Sequence, residues 1–322
     1  MRTRSELGDV AVVIPTLRRL DSLERALRSV FAQAEALERV SAVVVADNDP
    51  DGSAGPLVAR LAAEAPAPLI YAPAPRPGVA TARNAGLAAT QAPLIAFLDD
   101  DEAASPRWLA ALLEAQVQTA ADVVFGPIRG RVPENTGWTA DYLEAFFGRA
   151  GPAETGPLEE PWGCGNSLMV RATALPGPAP FDVSADQTGG EDDKLFAALS
   201  ARGGRYGWAA DAWVDEFAPP HRATLRYALT RAFAYGQSPS QAAAARRDWP
   251  GVAKWMAVGA VQAVARGLKL APLWLMRSPR RAEAMDGVAK GLGKVFWTRR
   301  FEPRLYGAAM LKAAPPADQP SA

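Results

Sequence analysis

The stretch Leu94-Ile95-Ala96-Phe97-Leu98-Asp99-Asp100-Asp101-Glu102 is an apolar run that ends in consecutive acids. Both alternating faces of the run are apolar, which is typical of a central parallel strand covered by helices on both sides. Ser105 is a suitable N-cap and Pro106 suits the first helical position, so we expect a helix to follow. In open α/β sheets, ligands bind outside the carboxyl ends of the strands, which is where these acids lie.

The adjacent carboxylates of this stretch predict a cation. Like charges repel, and burial at a strand end raises the free-energy cost of keeping these carboxylates ionised unless a cation neutralises them. Oxygen ligands suit Mg²⁺ or Mn²⁺, which share their remaining positions with waters and substrate phosphates. The alternative is a solvated acidic turn before a helix, where acids are favourable anyway.

Composition is typical of a large cytoplasmic α/β protein. The chain has 322 residues, of which 49% are hydrophobic, so there is material for an extensive core. Its single cysteine, Cys164, fits a reducing compartment, and we assign it no chemistry. The first nine residues contain no apolar run, so we expect no signal peptide.

Charge is distributed unevenly along the chain. Residues 1–249 contain 23 Lys and Arg against 31 Asp and Glu, a net charge of −8. Residues 250–312 contain 12 against 3, a net charge of +9, and Asp318 gives the last ten residues −1. The basic region predicts an anionic partner, either lipid or nucleic acid. Aromatic and aliphatic residues are interleaved with the charges, which favours a lipid surface over nucleic acid.

Apolar runs alternate with helical patterns over the first hundred residues. We predict strands at 10–16, 42–46, 69–71 and 94–98, separated by helices at 20–34, 56–65 and 80–90. This order indicates βαβ units and a parallel-rich sheet flanked by helices, an α/β fold. The turn at 15–19 lacks the G-x-G-x-x-G fingerprint, which argues against a nicotinamide or flavin oxidoreductase.

Four motifs together resemble those of bacterial family 2 glycosyltransferases, inverting enzymes with the GT-A fold. They are Val13-Ile14-Pro15-Thr16 with Arg18, Val45-Ala46-Asp47-Asn48-Asp49, the segment 78–86, and the D-x-D-like Asp99-Asp100-Asp101. The resemblance extends over residues 10–236. It implies a nucleotide-sugar donor held by Pro15, Thr16, Arg18, Asp47, Asp49, Arg83, Asn84, Asp99 and Asp100. It also implies Mn²⁺ or Mg²⁺ on Asp101 and Asp99.

Two further segments resemble the acceptor side and the catalytic motif of the family. Trp162-Gly163-Cys164-Gly165-Asn166 is similar to the acceptor segment, so Trp162, Gly165 and Asn166 are implied to bind the acceptor. Glu191-Asp192 resembles the E-D motif, with Asp192 as general base and Glu191 in reserve as base or acceptor binder. An acidic helix N-terminus is the alternative for the second segment. Residues 148–161 are predicted to be a loop with little reason to pack, either a mobile lid or an inert surface loop.

The helix after residue 220 resembles the arginine-containing helix that follows the catalytic motif of the family. Arg222 and Arg226 are therefore predicted to contact a diphosphate. The Q-x-x-R-W motif of processive synthases is absent, which indicates transfer of one or few sugars per encounter.

The segment 252–270 predicts an amphipathic helix. Its longest run without a charged residue is too short to span a bilayer. Lys254, Gln262, Arg266 and Lys269 fall within about a third of a helical wheel and leave a broad apolar face. A helix lying in the plane of a membrane fits this pattern. The alternative is a helix packed on the catalytic domain with its basic face in water.

These patterns give a prediction for the whole chain. We expect a nucleotide-sugar-binding half (1–125), an acceptor and catalytic-base half (126–249), a basic amphipathic helical region that associates with membrane (250–312), and a disordered tail (313–322). The predicted enzyme transfers sugar from a UDP-sugar to a polyprenyl-diphosphate-linked glycan of a surface or exopolysaccharide pathway, at the inner face of the cytoplasmic membrane. A sugar nucleotidyltransferase and an inactive scaffold of a polysaccharide synthase complex are the alternatives.

Overall fold

The computed structural model describes residues 10–187 and 189–303. These divide into two compact units, the first comprising residues 10–129, 149–187 and 189–217, and the second residues 130–148 and 218–303. The predicted tail, 313–322, lies outside the described residues. The functional ranges proposed from the sequence stay a prediction.

The strands of the first unit form two sheets. They are β1 (Val10–Thr16), β2 (Val40–Asp47), β3 (Leu69–Pro73), β4 (Leu94–Phe97), β5 (Glu102–Ala104), β6 (Val123–Phe125), β7 (Ile128–Arg131), β8 (Gly156–Leu158), β9 (Ser167–Val170), β10 (Tyr206–Trp208) and β11 (Val214–Phe217), with β7 continuing into the second unit. The large sheet has the order β3-β2-β1-β4-β9-β6-β10-β8, and the small one β5-β11-β7. Strands β1 to β4 are mutually parallel, whereas β9 is antiparallel to β4 and β6.

Helices cover both faces of the large sheet. They are α1 (Leu20–Phe31), α2 (Gly55–Leu61), α3 (Val79–Ala88), α4 (Trp108–Thr119), α6 (Arg171–Ala174) and α7 (Glu191–Ala201), while α5 (Ala140–Phe147) belongs to the second unit. Alternate residues of β1 point to opposite faces, with Val12 packed among α1, α2 and α4 and Val13 packed among α3 and α7. Strand β1 is apolar on both of its faces because helices cover both faces of the sheet. The predicted parallel-rich α/β architecture is confirmed.

Two local predictions were wrong. Helix α4 begins at Trp108 with Arg107 at its N-cap, and Gln33 Oε1 rather than Ser105 accepts a first-turn amide, that of Leu109 at 3.0 Å. The prediction of a loop without packing was wrong for part of residues 148–161, most of which are exposed. Within them β8 pairs with β10, and the Pro152 carbonyl accepts the indole N–H of Trp208.

Three long helices dominate the second unit: α8 (Leu225–Ala245), α9 (Trp249–Leu275) and α10 (Arg281–Val295). Gly259 of α9 and Gly291 of α10 let the two backbones approach closely, since a Cβ at position 259 would lie 2.5 Å from the Gly291 carbonyl oxygen. Among the described helices, none is both long and apolar enough to cross a membrane.

Candidate active site

The acids that follow β4 meet the end of β1 at the carboxyl edge of the large sheet. Val13 pairs with Phe97, so the last residues of β1 run beside the chain that continues from β4. The Thr16 hydroxyl consequently donates to Asp100 Oδ2 at 2.8 Å. The sheet register therefore places the predicted acids where a ligand of an open α/β sheet binds.

Arg19, which the sequence analysis missed, holds two of these acids. Its Nη1 lies 2.8 Å from Asp100 Oδ1 and 2.6 Å from Asp101 Oδ2. The charge of Asp100, followed by that of Asp101, raises the pKa of Arg19 despite the opposing effect of burial. Burial raises the pKa of Asp100 to about 6, although Arg19 opposes the shift. The Arg18-Arg19 pair was the available signal, and only the fold shows which arginine turns inward.

Arg18, predicted to contact the donor, lies on the neighbouring turn. Its Nη2 is 2.9 Å from Asp49 Oδ1 and 2.6 Å from Asp51 Oδ2. The hydrogen bond to Asp49 contributes most to raising the pKa of Arg18. Arg18 therefore fixes the acid-rich turn after β2 beside the end of β1, and its contact with the donor stays a prediction.

Asp47 organises the turn after β2. It is fully buried and accepts hydrogen bonds from the Asp49 and Ala54 amides and, at 3.0 Å, from the Tyr71 hydroxyl. Burial, then the bond to Asp47, raises the pKa of Tyr71 to about 12. These bonds fix the carboxylate inside the turn, and the predicted contact of Asp47 with the donor stays a prediction.

Asn48, a second residue missed from the sequence, connects this turn to the start of α3. Its amide donates to the carbonyls of Ala74 and Arg76, and its Oδ1 accepts the Gly78 amide at 2.6 Å. The side chain is buried, so these bonds hold the loop before α3 against the end of β2.

Arg83 of α3 joins the two acidic centres. Its guanidinium is buried, forms an ion pair with Glu191 and lies 3.5 Å from Asp99 Oδ1. Asn84, predicted to bind the donor, instead uses its amide on the Phe181 backbone, donating to the carbonyl and accepting the amide. Its predicted contact with the donor remains a prediction.

The segment 163–166 separates the two acidic centres. Asp192 Oδ2 accepts the Cys164 amide at 3.1 Å. On the other side, a Cβ at Gly165 would lie 2.6 Å from Asp99 Oδ2, so a larger side chain would displace that carboxylate. Cys164 is buried, and burial raises the pKa of its thiol, consistent with a structural residue. The glycines therefore bring both carboxylates close to the same stretch of backbone.

Arg149, also missed from the sequence, holds this segment in place. Its Nη2 donates to the carbonyls of Gly165 at 2.8 Å and Gly163 at 3.2 Å. Its guanidinium carbon lies 5.9 Å from the ring centroid of Trp162, one of the predicted acceptor residues. A lone arginine in a Gly-, Pro- and Glu-rich stretch was the only signal in the sequence.

Asn166, predicted to bind the acceptor, is fully buried with a left-handed backbone. Its side-chain amide donates to the carbonyls of Pro127 and Ala212, and its oxygen accepts the Trp108 indole N–H at 2.7 Å. These bonds orient the turn that presents Gly165. A direct bond between Asn166 and the acceptor stays a prediction.

The residues after β4 fit a divalent metal whose coordination is completed by substrate. Asp99 and Asp101 supply carboxylate oxygens, the donor type that Mg²⁺ and Mn²⁺ prefer. Within residues 10–187 and 189–303, no group of three or more His, Cys, Asp or Glu could hold a metal alone. One or two carboxylates plus diphosphate oxygens are a usual set for Mg²⁺, so the donor must complete the site. Arg19 neutralises Asp101 here, at the position predicted for the metal.

Arg222 and Arg226 lie in the second unit. The guanidinium carbon of Arg222 is 5.9 Å from the ring centroid of Tyr227, and Arg226 begins the first turn of α8. Their predicted diphosphate contacts stay a prediction.

Comparison with known proteins identifies the class to which this fold and site belong. Residues 11–175 match the family described as Glycosyl transferase family 2. The chain therefore belongs to glycosyltransferase family 2, as the motifs predicted. It is 33% identical over 235 residues to succinoglycan biosynthesis protein ExoM of Rhizobium meliloti (strain 1021), covering 73% of this chain and 75% of that protein.

Two further matches are more distant. Validoxylamine A glucosyltransferase of Streptomyces hygroscopicus subsp. jinggangensis (strain 5008) is 34% identical over 127 residues, 39% of this chain and 30% of that protein. A solved structure of GalNAc-T7 with UDP, GalNAc and Mn²⁺ aligns with a TM-score of 0.52 and 16% identity, over 73% of this chain and 51% of that chain. The structural match shows a shared GT-A fold.

Proposed function

We propose that this family 2 enzyme transfers a sugar from a UDP-sugar, with inversion, to a polyprenyl-diphosphate-linked glycan in exopolysaccharide synthesis. The observation that carries the proposal is Arg83, which touches Asp99 at one acidic centre and Glu191 at the other. Displacement of a diphosphate by a hydroxyl requires charge neutralisation at the leaving group and proton removal on the opposite side. The pathway is suggested by the name of the ExoM relative.

Different residues serve proton removal and neutralisation of the diphosphate. Asp192 is half-buried and accepts only backbone amides in the described contacts, so it is available to take the acceptor proton. The acceptor oxygen then bonds to the anomeric carbon while the bond from that carbon to the diphosphate breaks, and UDP leaves. Glu191 is buried against Arg83 and positions it. Bound Mg²⁺ or Mn²⁺ on Asp99 and Asp101 would neutralise the diphosphate.

Family membership argues against the sugar nucleotidyltransferase alternative. A transfer assay tests the other alternative, an inactive scaffold. Purified protein is incubated with Mg²⁺ or Mn²⁺, lipid-linked acceptors and a panel of UDP- and GDP-sugars, and released nucleoside diphosphate is measured. We expect release that depends on acceptor and on one UDP-sugar. The proposal would be contradicted if no donor gave acceptor-dependent release of nucleoside diphosphate and the wild-type rate equalled the rate of the Asp192→Asn protein.

We also propose that α9 lies on an anionic membrane surface. Three of its aliphatic side chains are largely exposed, namely Val261 at 69%, Leu268 at 74% and Leu275 at 87%. Gln262 faces α10 and donates to the Gly287 carbonyl, whereas Lys254, Arg266 and Lys269 are exposed. A helix packed on the catalytic domain with its basic face in water stays the alternative. An exposed aliphatic stripe beside lysines supports binding in the membrane interface.

A further inference from the structure

An apolar groove of about 630 Å³ runs between α8 and α10 in the second unit. It is lined by Leu225, Arg226, Leu229, Thr230 and Phe233 of α8 and by Met285, Ala289 and Leu292 of α10. Neither the donor chemistry nor the α9 surface uses these residues.

The groove has the form of a track. Leu225, Leu229 and Phe233 are spaced four residues apart on one face of α8, so they extend over about 12 Å of helix. The Thr230 hydroxyl already donates to the Arg226 carbonyl at 2.8 Å. The walls therefore offer carbon contacts along a line and no unused hydroxyl, which suits a flexible hydrocarbon chain better than a compact polar ligand.

Charge is concentrated at one end of this track. Arg226 lines the groove in the first turn of α8, where the helix dipole also favours an anion. None of the lining residues is acidic. The nearby acid of α10, Asp286, is engaged with Lys290 at 2.8 Å and with the Tyr142 hydroxyl at 3.1 Å. The groove thus combines an apolar path with a cationic end.

We propose that this groove binds the isoprenoid chain of a polyprenyl diphosphate, with Arg226 on the diphosphate. The inference rests on the proposed function, because it assigns a place to the lipid part of the acceptor. It assigns the predicted diphosphate contact of Arg226 to the lipid. An amphiphile with an anionic head and a linear hydrocarbon tail matches both ends of the groove.

Photolabelling of the full-length protein in solution, without vesicles or donor, tests this assignment. The probe is a diazirine-bearing analogue of farnesyl diphosphate, and labelled peptides are located by mass spectrometry. We expect label within residues 225–233 and 285–292, competed by farnesyl diphosphate and not by inorganic diphosphate. Arg226→Gln should weaken farnesyl diphosphate binding about tenfold, since a charge-assisted bond is lost, while farnesol binding stays unchanged.

Two substitutions separate the groove from other apolar surfaces. Leu292→Gln changes a partly exposed lining residue and should lower labelling severalfold with an unchanged melting temperature. Val261→Gln makes the same kind of change on the exposed face of α9 and should leave labelling unchanged. Ala289→Phe, which fills the groove, provides a second blocking variant.

Several results would overturn the proposal. One is label confined to α9, and another is a loss of labelling with Val261→Gln as large as that with Leu292→Gln. The others are labelling that does not saturate and a concentration-dependent dimer that protects the groove from label. Failure of the groove assignment can be distinguished from failure of the proposed function. Acceptor-dependent transfer without farnesyl diphosphate binding would refute the groove alone, whereas groove labelling in a protein that transfers no sugar would refute the proposed transferase activity alone.

Discussion

Asp192 and Glu191 are adjacent in sequence, and their surroundings give them different roles. Glu191 is buried against Arg83, and burial raises its pKa, an effect that the charge of Arg83 opposes. Asp192 is half-buried and contacts the backbone of the glycine segment. A base must reach an acceptor and return its proton to water, so the accessible residue suits that role.

The first prediction compares these two carboxylates. Asp192→Asn keeps the shape and removes the proton acceptor, so turnover should fall by a factor on the order of 10² to 10⁴ with UDP affinity unchanged. Glu191→Gln leaves Arg83 without its charged partner in a buried site and should cost about 3 kcal/mol of unfolding free energy. Steady-state kinetics and denaturant unfolding give the two readouts. Retained turnover in Asp192→Asn would move the base to Glu191 or elsewhere.

The second prediction concerns Asp101. Asp101→Ala removes an oxygen ligand at the strand end without opening the core, so turnover should fall by a factor on the order of 10³ with the protein folded. Calorimetry with UDP in the presence and absence of chelator measures the metal-dependent part of donor binding. Glu114→Ala, at an exposed acid of α4, is the control. UDP affinity insensitive to both chelator and Asp101→Ala would show that the metal assignment is wrong.

The segment 163–166 shows how one element depends on a distant side chain. Its carbonyls converge on Arg149, which belongs to a stretch that looks unstructured in sequence. Gly165 is buried, so without Arg149 its carbonyl would lose a donor away from water, a costly arrangement. Arg149 therefore acts as a positioning residue for the backbone between Asp99 and Asp192.

The third prediction tests this role. Arg149→Met preserves bulk and removes the donors, and we expect a loss of about 1–3 kcal/mol in unfolding free energy. The acceptor KM should rise more than the donor KM, because the segment carries the predicted acceptor contacts. Arg107→Met, at an exposed arginine of the first unit paired with Glu35 and Glu114, should change neither quantity. Equal effects of the two substitutions on stability and on both KM values would contradict a specific role.

At the scale of the whole molecule, the charges separate along the chain. The net charge is −8 over residues 1–249 and +9 over residues 250–312. Helices α9 and α10 hold six of the twelve lysines and arginines of the basic region, and the exposed aliphatic stripe lies on α9. Attraction to anionic lipid and insertion of apolar side chains should therefore act together.

The fourth prediction follows from that combination. Wild-type protein should sediment with anionic vesicles and less with neutral ones, and high salt should weaken binding without abolishing it. Replacing Lys254 and Lys269 with Glu should release the protein, since each lysine near the surface contributes about 1 kcal/mol. Replacing Val261 and Leu268 with Gln should reduce the vesicle binding that remains at high salt. Arg107→Glu alters charge in the first unit and serves as the control. Protein that stays in the supernatant with both kinds of vesicle would end the membrane proposal.

The sequence by itself predicted the family from its motifs, and it predicted the α/β class, the first four strands and the acids that follow β2 and β4. These follow from local pattern, because a strand buried on both faces must be apolar and must end where its polar residues begin. Asp47 and Asp99 were singled out because they end or follow buried strands, whereas Arg83 and Asp192, which lie in helices, were singled out by the resemblance to the family.

Tertiary structure alone decided which polar side chains turn inward and what they hold. Arg19 contacts Asp101 across about eighty residues, and Arg149 holds the segment 163–166 through carbonyls that sequence patterns do not describe. The same holds for α9, whose wheel predicts two faces without showing which is covered. Gly259 and Gly291 allow α9 and α10 to approach closely, and Gln262 bonds to α10, while Val261, Leu268 and Leu275 stay exposed. Such pairings depend on long-range geometry, and no periodicity in the chain encodes it.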